Sequence, residues 1–394
     1  MTAELLIHRE DRRLRAAVVE SGRLTDLHID RDDRVAPQAG SVWLGRVERI
    51  AAGLNAAFID LGTGKAGLLG IADVRLSNRA RPEPGTAIGT VLRCGQAVLV
   101  QVKAEAVGGK GPTLAMDISL PGRFLVHVPF RRGVTVSKRL GGGAVREALT
   151  KRLQALTVGD GWIARSGSEA LTEDALIEAE SESLALCWRD LERRAGQGGA
   201  PGCLTPGADA AMRAVIGLGT RPLARVAVEA PAGWLGAFQS WCALAAPDLA
   251  PRLEAVSGRL YAGRLYECHD LEGQIAALAR PQVALSGGAG LVIEPTEALV
   301  AIDVNGGERG NPLAVNLEAA TEVARQLRLR NLGGIVVVDF LSMPKRGDGE
   351  RLLAALAAAV RGDPVQTEVY GLSKLGLVEL TRARRGPPLT ELLS

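Results

Sequence analysis

Apolar and polar positions alternate through the first third of the chain. Glu4-Leu-Leu-Ile-His and Leu14-Arg-Ala-Ala-Val-Val read as short strands, the second leading into a polar hairpin at Glu20–Arg23. Residues 40–118 keep this period. Gly40-Ser-Val-Trp-Leu-Gly-Arg-Val-Glu-Arg-Ile, Leu54-Asn-Ala-Ala-Phe-Ile-Asp-Leu-Gly and Ala97-Val-Leu-Val-Gln-Val-Lys are strand-like, and Gly62-Thr-Gly-Lys-Ala-Gly is a turn. Short strands separated by glycine turns predict an OB-type barrel. The pattern then changes: a helix is expected over Glu173–Ala195, followed by a Gly/Pro linker at Gly196–Pro206. Mixed α/β patterning returns at about 208–275 and is clearest from Ala276 to Glu379.

Two apolar runs in that last region end in aspartate. Ala298-Leu-Val-Ala-Ile-Asp-Val-Asn-Gly-Gly and Gly333-Gly-Ile-Val-Val-Val-Asp-Phe are β-branched and nearly continuous, as strands buried on both faces of a parallel sheet are. Between them a helix is expected from Leu313 to Leu332, with Leu317, Ala320, Ala324 and Leu327 on one face. Strand, helix, strand is a βαβ unit, so Asp303 and Asp339 are expected at neighbouring C-terminal strand ends. Alternation puts Asn305 on the face of Asp303. Two carboxylates ~4 Å apart repel by roughly 4 kcal/mol at an effective dielectric of about 20. A hard divalent cation removes that cost, and this donor set suits magnesium, or manganese in its place. The plainer alternative is that each aspartate accepts hydrogen bonds from a turn or caps the next helix.

Composition narrows the classes. The 394 residues are 47% hydrophobic and 23% charged, enough for two or three folded domains. Net charge is only +3, yet residues 122–153 carry eight Lys/Arg against one acidic residue. That is a local anion-binding face beside the acidic stretch 169–192. Five scattered cysteines exclude a disulfide framework and a zinc site of ordinary spacing. The N-terminus lacks a signal-like apolar run, and Leu352–Val360 is about half a membrane span, so a cytoplasmic protein with no membrane partner is expected. The 62–67 glycine turn lacks P-loop spacing.

The stretch Leu285-Ser-Gly-Gly-Ala-Gly-Leu-Val-Ile-Glu-Pro-Thr-Glu-Ala-Leu-Val-Ala-Ile-Asp-Val-Asn-Gly-Gly resembles the catalytic segment of the ribonuclease E/G family of bacterial endoribonucleases. Asn316-Leu-Glu-Ala-Ala-Thr-Glu-Val-Ala-Arg-Gln-Leu-Arg-Leu-Arg-Asn-Leu-Gly-Gly and Leu375-Gly-Leu-Val-Glu-Leu-Thr-Arg-Ala-Arg are similar to later blocks. Upstream, Gly53-Leu-Asn-Ala-Ala-Phe-Ile-Asp-Leu-Gly, Gly109-Lys-Gly-Pro and Ile118-Ser-Leu-Pro-Gly-Arg extend the likeness. The resemblance implies an α/β multidomain protein. An RNase H-like part (1–38 and 207–275) would be split around an OB-fold barrel (39–119) and a 5′-sensor region (120–206). A DNase I-like α/β catalytic subdomain (276–394) would follow.

It also implies roles. Asp303 and Asp339 would bind catalytic magnesium, with Asn305 supporting them, for hydrolysis of single-stranded RNA in rRNA precursors and mRNA. Phe58 would stack on a base and Lys110 would contact the RNA. Gly122, Val126, Arg165 and Ser166 would form a 5′-monophosphate pocket, in which a guanidinium and a hydroxyl suit a terminal phosphate. Several positions depart from the family pattern: Leu68 replaces a second barrel aromatic, Ser166 replaces threonine, Pro112 and Ala115 alter the segment after Lys110, and Ser342 stands where many members carry an acid. The sequence ends soon after Thr381-Arg-Ala-Arg. Neither a C-P-x-C zinc link nor the family's dimerisation domain is therefore expected, and a homo-oligomer stays open. The expectation is a short family member acting as a magnesium-dependent endoribonuclease in rRNA processing and RNA decay. The alternative is a non-cleaving RNA-binding factor on the same fold.

Overall fold

Alternation in the N-terminal strands builds the first layer. The structure, a computed structural model, describes residues 3–10, 12–31, 37–76, 78–106, 110–136, 143–165, 167–256, 264–343, 345, 347–384 and 386–393. It divides into two compact units: Met1–Ser21 with His28–Gly263, and Gly22–Leu27 with Arg264–Ser394.

In the first unit, β1 (Ala3–Glu10) and β2 (Arg13–Glu20) form an antiparallel hairpin; β3 (Arg23–Arg31) follows, its residues up to Leu27 counted with the second unit. The expected barrel is present. β4 (Val42–Ala51), β5 (Ala56–Asp60), β6 (Gly67–Gly70), β7 (Ala97–Ala104) and β8 (Thr113–Ala115) pair in the circuit β4-β5-β6-β8-β7, and β7 closes back on β4. Val47, Ile59, Leu69, Val98, Val100 and Leu114 fill this closed, OB-like barrel because every second residue points inward.

A small sheet follows: β9 (Leu120–Pro121), β10 (Leu125–His127), β11 (Val134–Val136) and β12 (Trp162–Ala164), in the order β11-β12-β10-β9. Phe124, Leu125 and Trp162 pack there against Leu149 and Leu153 of the helix Gly143–Leu156 and Ile177 of the helix Asp174–Gly196. β13 (Gly202–Thr205) adds to β4 at the barrel wall. β14 (Leu223–Glu229) and β15 (Leu253–Ala255) then complete the first sheet as β15-β14-β1-β2-β3, with β1 parallel to β14. Leu5, Ile7, Leu14 and Val18 are buried there with Ala214, Val215 and Phe238 from the helices Ala210–Leu218 and Ala232–Ala245.

The second unit is built on β16 (Gln282–Ala284), β17 (Gly290–Pro295), β18 (Leu299–Asn305), β19 (Gly334–Asp339), β20 (Thr367–Leu372) and β21 (Val378–Arg382), ordered β16-β17-β18-β19-β21-β20. The expected βαβ unit is its centre. β18 and β19 are parallel, joined by the helix Pro312–Leu329, which Asn311 caps by accepting from the Ala314 amide. Both faces of these strands were expected to be buried within a parallel sheet, and the structure corrects this. The remaining neighbours are antiparallel. Val300, Ile302, Val304, Val336 and Val338 pack under the helices Pro312–Leu329 and Asp348–Val360. The opposite face carries exposed Asp303, Asn305, Asp339 and Ile335. Valine and isoleucine suit a pleated strand on either face, so a continuous run does not reveal that only one side is covered. The helix's buried stripe also runs through Val315, Ala319, Val323 and Leu327, with Leu317 only half-buried.

Candidate functional site

The period of two that buries Ile302 and Val304 turns Asp303 and Asn305 outward, and the same alternation in β19 turns out Asp339. Asp303 and Asp339 are direct register partners across the parallel pair. Neighbouring strands lie about 4.8 Å apart, so the two carboxylates leave the sheet side by side. Asn305 Nδ2 donates to Asp303 Oδ2 at 2.8 Å, which fixes the aspartate's rotamer. Among the described residues neither carboxylate forms an ion pair. No group of three or more His, Cys, Asp or Glu side chains there is placed to hold a metal. Two exposed carboxylates side by side suit magnesium, which keeps several waters and takes one or two carboxylates.

What holds these strand ends is not visible in the sequence pattern. Fully buried Asn316, on the connecting helix, donates from Nδ2 to the Leu341 carbonyl at 2.8 Å and accepts from the Leu341 amide at 3.0 Å. That pins the segment just after Asp339. Two residues on, Glu318 accepts from the Ser286 amide at 2.8 Å, from Ser286 Oγ at 2.7 Å and from Arg309 Nη1 at 2.5 Å. These bonds hold its carboxyl down at about 2. Arg309 lies in the loop after Asn305, so one helix end fastens the exits of both aspartate strands. Both residues stand inside the quoted Asn316-Leu-Glu block, but their partners are loop atoms that spacing does not reveal.

The barrel residues form an outward row. Arg49 faces Phe58, Phe58 faces Leu68, and Leu68 faces Thr113 across adjacent strands. Phe58 is half-buried, and the Arg49 guanidinium lies 4.2 Å from its ring centroid. Arginine planes can themselves stack on bases, so the row offers a stacking surface despite Leu68. Lys110 is exposed two residues before Pro112, whose carbonyl accepts from the Leu68 amide at 2.8 Å, so it stands beside this row.

Of the remaining cluster, the structure brings Arg165 onto Gly122. Arg165 Nη1 donates to the carbonyl of Gly122 and to that of Ile216, the latter at 3.1 Å. The Arg165 amide donates to Phe124 O at 2.9 Å. Val126 pairs with Pro121 on one side and Ile163 on the other. Ser166 lies outside the described residues.

The family model described as Ribonuclease E/G family matches residues 119–385, more than half of the chain and all of the aspartate site. The chain belongs to the ribonuclease E/G family. Ribonuclease E of Synechocystis sp. is 36% identical over 381 residues, covering 90% of this chain and 53% of that protein. Ribonuclease G of Escherichia coli K12 is 32% identical over 398 residues, covering 98% of this chain and 80% of its own length. Ribonuclease G of Haemophilus influenzae is 31% identical over 418 residues, with 99% and 81% covered. This family member spans about half the length of the Synechocystis and Nostoc ribonuclease E proteins it matches. No helix among the described residues is long and apolar enough to cross a membrane.

Proposed function

We propose that this ribonuclease E/G family member is an endoribonuclease that hydrolyses single-stranded RNA with the aid of magnesium, in rRNA processing and RNA decay in the cytoplasm. The observation that carries this reading is the register pair Asp303 and Asp339, side by side and without an ion pair among the described residues, with Asn305 bonded to the first. In this reading residues 276–394 are the DNase I-like catalytic part, and 1–38 with 207–275 the RNase H-like part.

Asp303 and Asp339 would hold the ion, and Asn305 orients Asp303 for it. A bound divalent cation lowers the pKa of a water and stabilises charge on a phosphoryl oxygen. The Asn316 and Glu318 bonds keep both strand exits fixed, so neither carboxylate must be reorganised when RNA arrives. Phe58, flanked by Arg49, would stack on a base, and Lys110 would meet the backbone. Gly122, Val126, Arg165 and Ser166 would read a 5′-monophosphate.

The test is cleavage of a 5′-monophosphorylated single-stranded oligonucleotide by the purified chain with magnesium or with EDTA. Product is expected only with the metal. Tight binding with no product under either condition would instead favour the non-cleaving RNA-binding factor, for which Leu68 and Ser342 are the relevant departures. A second expectation concerns the platform. Phe58→Ala should weaken binding of a short oligonucleotide in EDTA by ~1–3 kcal/mol, the scale of one stacked base. Fluorescence anisotropy measures it, and an unchanged Kd would move the RNA off this row.

A further inference from the structure

Three consecutive main-chain N–H groups, those of Arg123, Phe124 and Leu125, converge on one side chain. All donate to the Glu180 carboxylate: Arg123 to Oε1, and Phe124 and Leu125 to Oε2 at 2.9 and 2.8 Å. Glu180 projects from the helix Asp174–Gly196 and is 3% exposed. Successive amides aimed at one point form an anion-binding nest. Here the protein's own carboxylate fills it. Burial pushes the Glu180 carboxyl upward, and the three amides and the Arg123 charge oppose that shift.

The same carboxylate explains Gly122. A Cβ there would stand 2.4 Å from Glu180 Cδ and 2.5 and 2.8 Å from its oxygens, so any side chain would drive the two apart. The loop is anchored elsewhere as well. Arg123 Nη1 donates to Asp248 Oδ1 at 2.5 Å and its Nη2 to the Gly219 carbonyl at 3.0 Å. On the other side of the loop, the Gly122 carbonyl accepts from Arg165. A chain of contacts thus runs from Glu180 through the loop amides to Gly122 and on to the Arg165 guanidinium.

We infer that Glu180 is the positioning residue of the 5′-end pocket: it sets the Gly122–Leu125 loop and, through it, the direction of Arg165. This rests on the 5′-monophosphate reading given above. Glu180 itself never meets the RNA, because its oxygens are taken by the loop. Its role is to hold a negative charge behind the loop so that the amides turn inward and the Gly122 carbonyl turns toward Arg165.

The experiment compares kcat and KM on 5′-monophosphate and 5′-hydroxyl versions of one oligonucleotide, using the full chain with magnesium. Arg165→Ala is the reference variant and should narrow the preference for the monophosphate. Glu180→Gln replaces one acceptor oxygen by a carboxamide NH2, a donor facing the donating loop N–H groups. It should narrow the preference by about tenfold, the scale of one lost charged hydrogen bond. The loss should appear in KM for the monophosphate substrate, and the double variant should lose little more than either single one. Gly122→Ala, which pushes on the carboxylate while keeping it, should move the ratio in the same direction. It decides the matter if Glu180→Gln fails to give a cooperative thermal transition.

A preference that collapses in Arg165→Ala but stays at the parental value in Glu180→Gln and Gly122→Ala overturns the inference and leaves the sensor reading standing. Equal losses on both substrates also overturn it, as they would mark a purely structural residue. A parental chain with no preference at all removes the sensor reading itself, and this inference with it.

Discussion

Asp303→Asn is expected to lower RNA cleavage by about 10³-fold or more while leaving the fold and RNA binding in place. The ion that Asp303 and Asp339 are proposed to share supplies several kcal/mol of transition-state stabilisation. Each ~1.4 kcal/mol removed is a factor of ten in rate. An amide at position 303 keeps the shape and can still accept from Asn305, so the 2.8 Å contact survives while the charge does not. Asp303 is exposed, so the exchange creates neither a cavity nor a buried unpaired group. Phe58 and Lys110 belong to the other unit, and binding in EDTA should be unchanged. Single-turnover cleavage with magnesium measures the effect. A variant that cuts at the parental rate would remove Asp303 from the chemistry. Asp339→Asn should fall as far, and the double variant little further, because residues that serve one ion act as a unit.

How much of this site could be read in advance follows from the range of the interactions. Asp303, Asn305 and Asp339 were legible because strand periodicity and a βαβ connection are local properties, and both strands end where the apolar runs end. The covered face was not legible. Val336 and Val338 lie under helices while Ile335, of the same residue class, is 52% exposed. Asn316, Glu322 and Gln326 were harder still: polar residues on a helix normally face water, yet all three are buried here. Glu180 is one of several acids in the stretch 169–192, nothing in the pattern singles it out, and its side chain's bonded partners are more than fifty positions away. Phe58 could have been barrel core or platform. The register puts it in an outward row, with the Arg49 guanidinium against its ring.

Arg382→Ala is expected to destabilise the second unit by about 3–5 kcal/mol, the scale of a buried ion pair losing one partner. Arg382 ends β21 beside Gly334, the first residue of the strand that carries Asp339. Its Nε donates to Asp363 Oδ2 at 2.7 Å and its Nη2 to Oδ1 at 3.2 Å, a forked pair whose side chains are 3% and 4% exposed. Nη1 donates to the Leu332 carbonyl at 3.0 Å and to Asn331 Oδ1 at 3.3 Å, in the turn between the connecting helix and β19. Truncation would strand the Asp363 charge in the interior and leave the Leu332 carbonyl without this donor. Domain stabilities are typically about 5–15 kcal/mol, so the variant should show a large drop in the urea midpoint. Replacing both partners together, Arg382→Met with Asp363→Leu, should cost much less than Arg382→Ala, because no buried charge is then left unpaired. A single variant within about 1 kcal/mol of the parent would mean that water reaches Asp363, and the pair would rank with surface ion pairs.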